Sequence, residues 1–266
     1  MKIGIFDSGL GGLLITRSIQ NALPKPDIVY LGDTLHLPYG KRSRETIFDL
    51  TKQAVHTLFK TFDCQLVILA CNTASASALR QLQQTYLNDH FPDRRILGVI
   101  VPTLEAIVDR GDTHIGLIGT EFTIGSGVYD EELTKLNPDI KLTSVATPLL
   151  VPLLEDGGGA YIRDVLDTYL EPFKRGTPQS LILGCTHYGL LKAQIQSALG
   201  HDIKLISQPD IIPYKLMDYL KRHPEHAEKI SDGGTLNVYL TDVTEGYERT
   251  AAEMFGDQIT VQKHSA

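Results

Sequence analysis

The sequence predicts an α/β protein built from two similar domains with mostly parallel sheets, related by an approximate two-fold axis. Short apolar, β-branched runs alternate with longer segments of helical period, which is typical of βαβ units. Three features also recur at nearly one offset: Ile3-Gly4-Ile5 and Ile115-Gly116-Leu117 lie 112 residues apart, Pro38 and Pro152 lie 114 apart, and Cys71 and Cys185 lie 114 apart. A period above about 100 residues is too long for a solenoid and indicates two related domains that face a shared cleft.

Ten apolar runs are the expected strands. They lie near Lys2–Phe6, Ile28–Leu31, Leu66–Ala70, Ile96–Ile100, Ile115–Ile118, Leu142–Val145, Leu181–Leu183, Lys204–Ile206, Leu236–Leu240 and Ile259–Val261. Segments of helical period lie between them, for example Ala74–Tyr86, Tyr161–Phe173, Leu190–Leu199 and Tyr247–Phe255. The chain from residue 208 onward has no counterpart in the repeat, so we expect it to return to the first domain. This predicts a discontinuous first domain of residues 1–97 plus 208–266 and a second domain of residues 98–207.

Composition and charge narrow the classes of partner. The 266 residues are 42% hydrophobic and 21% charged, with a net charge of −7, so no basic surface for nucleic acid is expected. The one basic cluster, Lys41-Arg42-Ser43-Arg44, is interpreted as a solvated surface. No apolar run approaches the ~20 residues that span a bilayer, and Asp7 interrupts the apolar start before a signal-peptide core forms. We therefore expect a cytoplasmic protein with no membrane or nucleic acid partner.

Two of the three cysteines end equivalent apolar runs. Cys71 is followed by Asn72-Thr73 and Cys185 by Thr186-His187, each at the start of a helical segment. The free N–H groups and dipole of a helix start favour a thiolate, so we expect a lowered thiol pKa at both positions. The alternative is that such cysteines only fill tight turns, which is our interpretation of Cys64. Three cysteines make no disulfide framework, and their spacing does not predict a metal site.

Polar loops follow the same strands. The Gly-rich loop that begins with Asp7-Ser8 matches neither a dinucleotide-binding nor a P-loop pattern, so it either serves a ligand or thiol or forms an Asx turn and helix cap. The turn Leu37-Pro38-Tyr39-Gly40 either points its amides at an anion or is a plain loop. Thr120 and Thr123 follow the corresponding strand of the second domain, and Glu155 and His187 are titratable groups that could orient the second thiol.

Six of these motifs occur in one order along the chain: Asp7-Ser8-Gly9-Leu10-Gly11-Gly12, Leu37-Pro38-Tyr39-Gly40, Ala70-Cys71-Asn72-Thr73, Gly119-Thr120 with Thr123, Val151-Pro152-Leu153-Leu154-Glu155, and Gly184-Cys185-Thr186-His187-Tyr188. Together they resemble the cofactor-independent glutamate racemases. Two positions depart from that family: Gly189 stands where proline is usual, and Thr147 stands where cysteine is usual.

The resemblance implies interconversion of L- and D-glutamate by two-base proton transfer without pyridoxal phosphate. Cys71 would take the α-proton from D-glutamate with help from Asp7, and Cys185 would take it from L-glutamate with help from His187 and Glu155. The substrate-binding residues it implies are Asp7, Ser8, Pro38, Tyr39, Gly40, Asn72, Thr73, Thr120, Thr123, Thr186 and His187. It also implies a role in supplying D-glutamate to peptidoglycan. A homodimer is expected only because two-fold symmetry is the commonest.

Two other functions remain open on the sequence. One is an aspartate or broad-specificity amino acid racemase of the same superfamily, which turnover on glutamate, aspartate and alanine would distinguish. The other is a non-catalytic amino acid binding protein that uses the cleft between two α/β domains. A binding protein has no need of two facing thiols, so alkylation of the thiols would leave its ligand affinity intact.

Overall fold

The computed structural model describes residues 1–155, 158–256 and 259–264. Its strands are β1 Lys2–Asp7, β2 Ile28–Gly32, β3 Cys64–Leu69, β4 Arg95–Gly98, β5 His114–Gly119, β6 Lys141–Ala146, β7 Ser180–Gly184, β8 Lys204–Ile206, β9 Leu236–Leu240 and β10 Val261–Lys263. They form a six-stranded sheet in the order β10-β9-β2-β1-β3-β4 and a four-stranded sheet in the order β6-β5-β7-β8. Every pairing is parallel, which confirms the predicted α/β class.

The helices connect and cover these strands. They are α1 Gly12–Ala22, α2 Arg44–Lys60, α3 Asn72–Gln81, α4 Leu87–His90, α5 Ile100–Arg110, α6 Glu121–Gly125, α7 Val128–Leu136, α8 Leu150–Glu155, α9 Ile162–Gly176, α10 Lys192–Leu199, α11 Gln208–Arg222, α12 Pro224–Ala227 and α13 Glu245–Phe255. Shorter 3₁₀ turns lie at Thr34–His36, Tyr39–Lys41, Gly159–Tyr161 and Thr186–Leu191, and a π-helical turn lies at Leu82–Tyr86. No helix in the described ranges is long and apolar enough to cross a membrane.

The repeat in the sequence is visible in the strand order. The run β2-β1-β3-β4 of the six-stranded sheet corresponds to β6-β5-β7-β8 of the four-stranded sheet. Strands β9 and β10, from the segment without a repeat partner, extend the six-stranded sheet beyond β2. The domain boundaries that we derived from the sequence stay a prediction, but this sheet membership follows the same division of the chain.

Burial explains why the central strands are apolar throughout. Every residue of β2, β3 and β7 is buried, whereas the edge strands β6 and β10 are mostly half-buried or exposed. Apolar side chains form a cluster on each face of each sheet. Parallel sheets covered by helices on both faces need apolar residues at successive positions, which produces the short β-branched runs of the sequence.

Several predicted boundaries were wrong. The run expected as a strand at Ile96–Ile100 ends at Gly98, and Ile100 already begins α5, whose first turn holds Pro102. The last strand starts at Val261 rather than Ile259, because its pairing with β9 begins at Val261. The helix expected at Ala74–Tyr86 begins two residues earlier and turns π-helical from Leu82. The segment expected to be helical at Leu190–Leu199 is α-helical only from Lys192.

Two close approaches join the two sheets near their carboxyl ends. A Cβ added to Gly11, at the start of α1, would lie 2.4 Å from Thr186 Oγ1. A Cβ added to Gly40 would lie 2.8 Å from the Cβ of Thr120. Only glycine permits this separation. The loops after β1 and β2 therefore contact the loops after β7 and β5, and the space between them is the cleft.

Candidate active site

A small cavity of about 50 Å³ lies where the carboxyl ends of β1, β3, β5 and β7 meet. Its walls come from both sheets. The lining residues are Ser8, Leu37, Pro38, Tyr39, Gly40, Lys41, Cys71, Asn72, Thr73, Thr120, Glu121, Thr147, Pro148, Val151, Pro152, Gly184, Cys185, Thr186 and His187. Ligands in open α/β sheets bind at this end of the strands, so the cavity is the candidate active site.

Cys71 lies between the end of β3 and the first turn of α3. Its sulfur accepts a hydrogen bond from the Ala74 N–H at 3.5 Å and lies 3.3 Å from Ser8 Oγ. Burial, followed by the nearby Asp7 carboxyl, raises the pKa of the Cys71 thiol to about 12, although the bonds from Ser8 and Ala74 oppose this shift. The expected lowering of this pKa was therefore wrong, because loss of solvent outweighs the helix start.

Asp7 lies beneath the cavity rather than in its wall. The carboxylate is fully buried and accepts hydrogen bonds from the Gly9 N–H at 2.9 Å and from Thr186 Oγ1 at 3.1 Å. Burial raises the pKa of Asp7, while the charge of His187 and these hydrogen bonds act in the opposite direction. Asp7 therefore connects the loop after β1 to the motif that carries the second thiol, and its effect on Cys71 is electrostatic.

Cys185 faces a different set of partners. Its sulfur lies 3.8 Å from His187 Nδ1, and His187 Nε2 lies 3.0 Å from Glu155 Oε1. The Nε2 contact lacks hydrogen-bond alignment, so it is an ion pair rather than a directed hydrogen bond. Burial alone would lower the pKa of His187, but Cys185 and Glu155 outweigh it and raise this pKa well above its ordinary value. A protonated imidazole therefore stands beside the second sulfur.

Three threonine hydroxyls form a compact cluster across the cleft. Thr73 Oγ1 lies 3.0 Å from Thr120 Oγ1 and 3.3 Å from Thr123 Oγ1, and Thr120 donates to Thr123 at 2.9 Å. Thr120 also caps α6 by accepting from the Thr123 N–H at 3.1 Å. The cluster brings hydroxyl donors from both sheets to one side of the cavity, and such donors suit a carboxylate.

The side-chain amide of Asn72 forms hydrogen bonds with other residues of the protein. Its Nδ2 donates to Gln208 Oε1 at 2.8 Å, while its Oδ1 accepts from Gln208 Nε2 at 2.7 Å and from the Tyr129 hydroxyl at 2.8 Å. Gln208 begins α11, and Tyr129 belongs to α7. Asn72 therefore lines the cavity but also fixes the start of α3 against two other helices.

The structure places most of the expected site residues together. Those in the cavity wall are Ser8, Pro38, Tyr39, Gly40, Cys71, Asn72, Thr73, Thr120, Cys185, Thr186 and His187. Asp7, Thr123 and Glu155 lie behind the wall and act through the residues that they contact. Their roles toward a ligand stay predictions.

Sequence reasoning missed part of the wall. The further lining residues are Leu37, Lys41, Glu121, Thr147, Pro148, Val151, Pro152 and Gly184. Leu37, Val151, Pro152 and Gly184 belong to motifs that the sequence singled out, although none of the four was expected to bind the ligand. Lys41 is exposed, as its basic cluster suggested, yet it borders the cavity. Thr147 is held by a hydrogen bond to the Gly119 carbonyl at 3.0 Å, so the position that departs from the family pattern belongs to the wall.

Known proteins resemble this chain over nearly its whole length. The glutamate racemase of Aquifex aeolicus is 40% identical over 262 residues, which cover 97% of this chain and 96% of that protein. The glutamate racemase of Roseobacter denitrificans is 40% identical over 237 residues, with coverage of 84% and 87%.

Solved structures agree with the sequence relatives. A glutamate racemase isoform from Bacillus anthracis superimposes with a TM-score of 0.89 at 33% identity, covering 99% of this chain and 97% of that chain. A glutamate racemase from Francisella tularensis, in complex with D-glutamate, gives 0.87 at 30% identity with the same coverage. The family model for Asp/Glu/hydantoin racemase matches residues 3–212. The resemblance indicated by the six motifs is confirmed, and this chain belongs to the Asp/Glu/hydantoin racemase family.

Proposed function

We propose that this enzyme interconverts L- and D-glutamate by moving the α-proton between Cys71 and Cys185. One observation carries the proposal: two sulfurs from equivalent strand ends of a repeated fold line a single cavity. The glutamate racemase relatives support glutamate as the substrate. Two thiols from opposite sheets suit a substrate whose two enantiomers present their α-hydrogens on opposite faces.

The reaction balances within the substrate and the two thiols. From L-glutamate, the Cα–H bond breaks and its proton goes to the sulfur of Cys185, which enters the step as a thiolate and leaves it as a thiol. The electron pair stays on Cα as a carbanion that is delocalised into the α-carboxylate. Cys71 then gives its S–H proton to the opposite face of Cα, which yields D-glutamate. The turnover leaves a Cys185 thiol and a Cys71 thiolate, which is the form that takes the α-proton from D-glutamate. Exchange of one proton with water returns the enzyme to its starting form, so no other reactant is consumed.

The electrostatics of the cavity favour a reaction that begins with Cys71 protonated. The raised pKa of Cys71 keeps that sulfur protonated, as a proton donor must be. The raised pKa of His187 favours a protonated imidazole, whose Nδ1 lies 3.8 Å from the sulfur of Cys185. Cys71 is therefore arranged to donate a proton, and a cationic imidazole lies beside the sulfur to which we assign removal of the proton from L-glutamate.

The α-proton of an amino acid is far less acidic than a thiol, so the carbanion needs donors aimed at the carboxylate. We assign this role to the hydroxyls of Thr73 and Thr120, supported by Thr123 from behind. Ser8 and Thr186 lie beside the two sulfurs and complete the polar wall. Tyr39 and Gly40 line the same cavity, and we assign their backbone amides to the side-chain carboxylate.

The biological setting is part of this proposal. We assign the enzyme to the supply of D-glutamate for peptidoglycan in the cytoplasm, on the basis of its family. The homodimer stays a prediction. Turnover on glutamate, compared with aspartate and alanine, separates this assignment from a broader racemase.

Replacing each cysteine tests the mechanism. Cys71→Ala and Cys185→Ala should each lower kcat/KM by at least about 1,000-fold for both enantiomers, since every turnover uses both sulfurs. Cys64→Ala is the matched control, because Cys64 is also a buried free thiol but does not line the cavity. The measurement is the change in circular dichroism of a glutamate solution. Full activity of either cavity variant would contradict the two-base mechanism.

An isotope experiment tests the same step without mutation. L-Glutamate labelled with deuterium at Cα should lose the label to water during racemisation, with no pyridoxal phosphate added, because one sulfur removes deuterium and the other donates a different proton. Mass spectrometry of the D-glutamate formed reads the outcome. Product that keeps the deuterium would rule out proton exchange through two separate sulfurs.

A further inference from the structure

Asp33 is a buried carboxylate just outside the candidate active site. It follows β2 directly, is 5% exposed, and does not line the cavity. Its Oδ2 accepts a hydrogen bond from the Tyr39 hydroxyl at 2.6 Å, and its Oδ1 accepts one from Thr241 Oγ1 at 2.8 Å. His36 Nδ1 lies 2.9 and 3.0 Å from the two oxygens. The proposed proton transfer uses none of these contacts.

The bond to Tyr39 anchors one wall of the cavity. The Tyr39 ring is 2% exposed, and its centroid lies 6.3 Å from that of Phe6. Burial and then the Asp33 carboxylate raise the pKa of the Tyr39 phenol, so the hydroxyl keeps its proton and donates it. A charge-assisted hydrogen bond of this length in a buried site is strong. Tyr39 therefore has one defined position, and the 3₁₀ turn Tyr39–Lys41 follows it.

This turn also touches the opposite sheet. Gly40 packs so closely on Thr120 that an added Cβ would lie 2.8 Å from the Thr120 Cβ. In addition, the Asp33 N–H donates to the Asp7 carbonyl oxygen at 3.0 Å. Asp33 thus connects the backbone beneath the cavity to the turn that closes it.

We propose that Asp33 is a positioning residue for substrate binding, which holds the Tyr39–Gly40 amides at the cavity through the Tyr39 hydroxyl. The inference rests on the proposed function, because it assigns those amides to the substrate carboxylate. The turn contacts the substrate in the ground state and in the transition state alike. Loss of its anchor therefore raises KM and leaves kcat nearly unchanged.

Two variants disrupt the bond from opposite ends. Asp33→Asn removes the charge and leaves a single acceptor oxygen for the three groups that contact Asp33. Tyr39→Phe removes the hydroxyl while keeping the ring. Each should raise KM for glutamate about 10-fold, equivalent to about 1.4 kcal/mol, with kcat within about twofold of wild type. The double variant should be no worse than the more affected single variant, since both remove the same interaction.

Asp27 supplies the matched control. It precedes β2 as Asp33 follows it, and its Oδ1 accepts from the Thr235 N–H at 2.8 Å and from Thr235 Oγ1 at 2.6 Å. Asp27→Asn should lower the thermal midpoint of unfolding as a lost carboxylate network does, and it should leave KM unchanged. A rise in KM for Asp27→Asn equal to that for Asp33→Asn would reduce Asp33 to a general stabilising role.

Amide hydrogen exchange gives a readout that does not depend on turnover. Residues 34–41 should exchange about tenfold faster in Asp33→Asn and Tyr39→Phe than in wild type or Asp27→Asn. If Asp33→Asn does not fold, the KM and the amide exchange of Tyr39→Phe test the proposal. Unchanged KM and unchanged exchange in Tyr39→Phe, or a loss of kcat at constant KM, overturns the proposal. A wild-type enzyme inactive on glutamate refutes the proposed function instead, and the exchange comparison still tests the anchor.

Discussion

At the scale of single residues, the two sulfurs occupy unlike surroundings. Cys71 has a hydroxyl and a buried carboxyl near it, whereas Cys185 has an imidazole that is paired with Glu155. The repeat of the fold gives both sulfurs the same backbone position, but their neighbours differ. An enzyme that must act on two mirror-image substrates with comparable efficiency needs such separate adjustment of each base.

Asp7→Asn should be more stable than wild type and less active. Burial raises the pKa of Asp7, so ionisation of this carboxyl costs folding free energy. That cost is absent below the unfolded pKa of 3.8 and appears as the pH rises through the folded value. The free energy of unfolding of Asp7→Asn should therefore increase relative to wild type over this range, as measured by urea denaturation from roughly pH 3 to pH 8.

The same variant should lose about 100-fold in kcat/KM, since Asp7 acts on both sides of the cleft. The loss must be equal for the two enantiomers, because their equilibrium constant is unity. Asp112→Asn is a suitable control: Asp112 is buried, accepts from Ser180 Oγ at 2.8 Å and pairs with Arg110. It should lose stability and keep activity. Wild-type activity in Asp7→Asn would exclude any role for this carboxyl in proton transfer.

At the scale of elements, the chemistry lies where strands give way to helices. Cys71 and Thr120 are the residues that cap α3 and α6, and Gly11 precedes α1. These positions bring polar atoms to the carboxyl ends of the sheets without interrupting the buried strands. The start of α1 then packs directly on the 3₁₀ turn that follows Cys185, because Gly11 has no side chain.

Gly11→Ala should impair the enzyme through that contact. The backbone at Gly11 is helical, with φ −57° and ψ −31°, so alanine suits it locally. However, the added methyl group would lie 2.4 Å from Thr186 Oγ1 and 2.9 Å from the His187 backbone nitrogen. We expect kcat/KM to fall by about 100-fold while the far-ultraviolet circular dichroism remains that of the folded protein.

Gly246→Ala, in the first turn of α13, is the control for that variant. The nearest atom to its added Cβ is Thr244 Oγ1 at an ordinary 3.6 Å, so activity should be unchanged and stability equal or higher by up to about 1 kcal/mol. If Gly11→Ala behaves like Gly246→Ala, the sheets do not approach as closely in solution during turnover.

At the scale of the whole molecule, polar contacts hold α3 of the six-stranded sheet against α7 on the other side of the cleft and against the start of α11. Gln208 and Tyr129 bind Asn72, and Arg80 NH2 lies 2.6 Å from Glu132 Oε2 on α7. Lys135 lies 2.8 Å from the other oxygen of Glu132. These contacts surround the junction of the two sheets, where a change in angle would separate the two sulfurs.

Glu132→Gln should weaken this junction in a pH-dependent manner. Burial alone would raise the pKa of Glu132, but hydrogen bonds and charges from Lys135 and Arg80 lower it. The stability that this gives is present above the unfolded pKa of 4.5 and is lost as the pH falls through the folded value. At neutral pH we expect a loss of about 1–2 kcal/mol, since both cations are more than half exposed and screened by water.

Urea denaturation at neutral and acidic pH measures that loss. Glu171→Gln is the control, because Glu171 pairs with Arg175 within α9 and both side chains are exposed. It should change stability by less than about 0.5 kcal/mol. A deficit for Glu132→Gln that is equal at all pH values would mean that the ionised form of Glu132 contributes nothing.

The sequence alone determined the α/β class, the repeat, and the two strand-end cysteines, because these follow from local periodicity and from patterns that recur along the chain. It also indicated most of the cavity wall, since loops at the carboxyl ends of parallel strands must meet. The sequence did not predict boundaries such as the start of α5 at Ile100, because an apolar run fits a buried strand and a buried helix equally well.

Only the tertiary structure decided the electrostatics of the site. The raised pKa of Cys71 follows from its burial and from the nearby Asp7, whereas the sequence placed the sulfur at a helix start that favours the opposite shift. Asp7 meets Thr186 across 179 residues of chain, and Asp33 meets Thr241 across 208. Desolvation and contacts between distant segments depend on how the two sheets pack, and no local pattern specifies them.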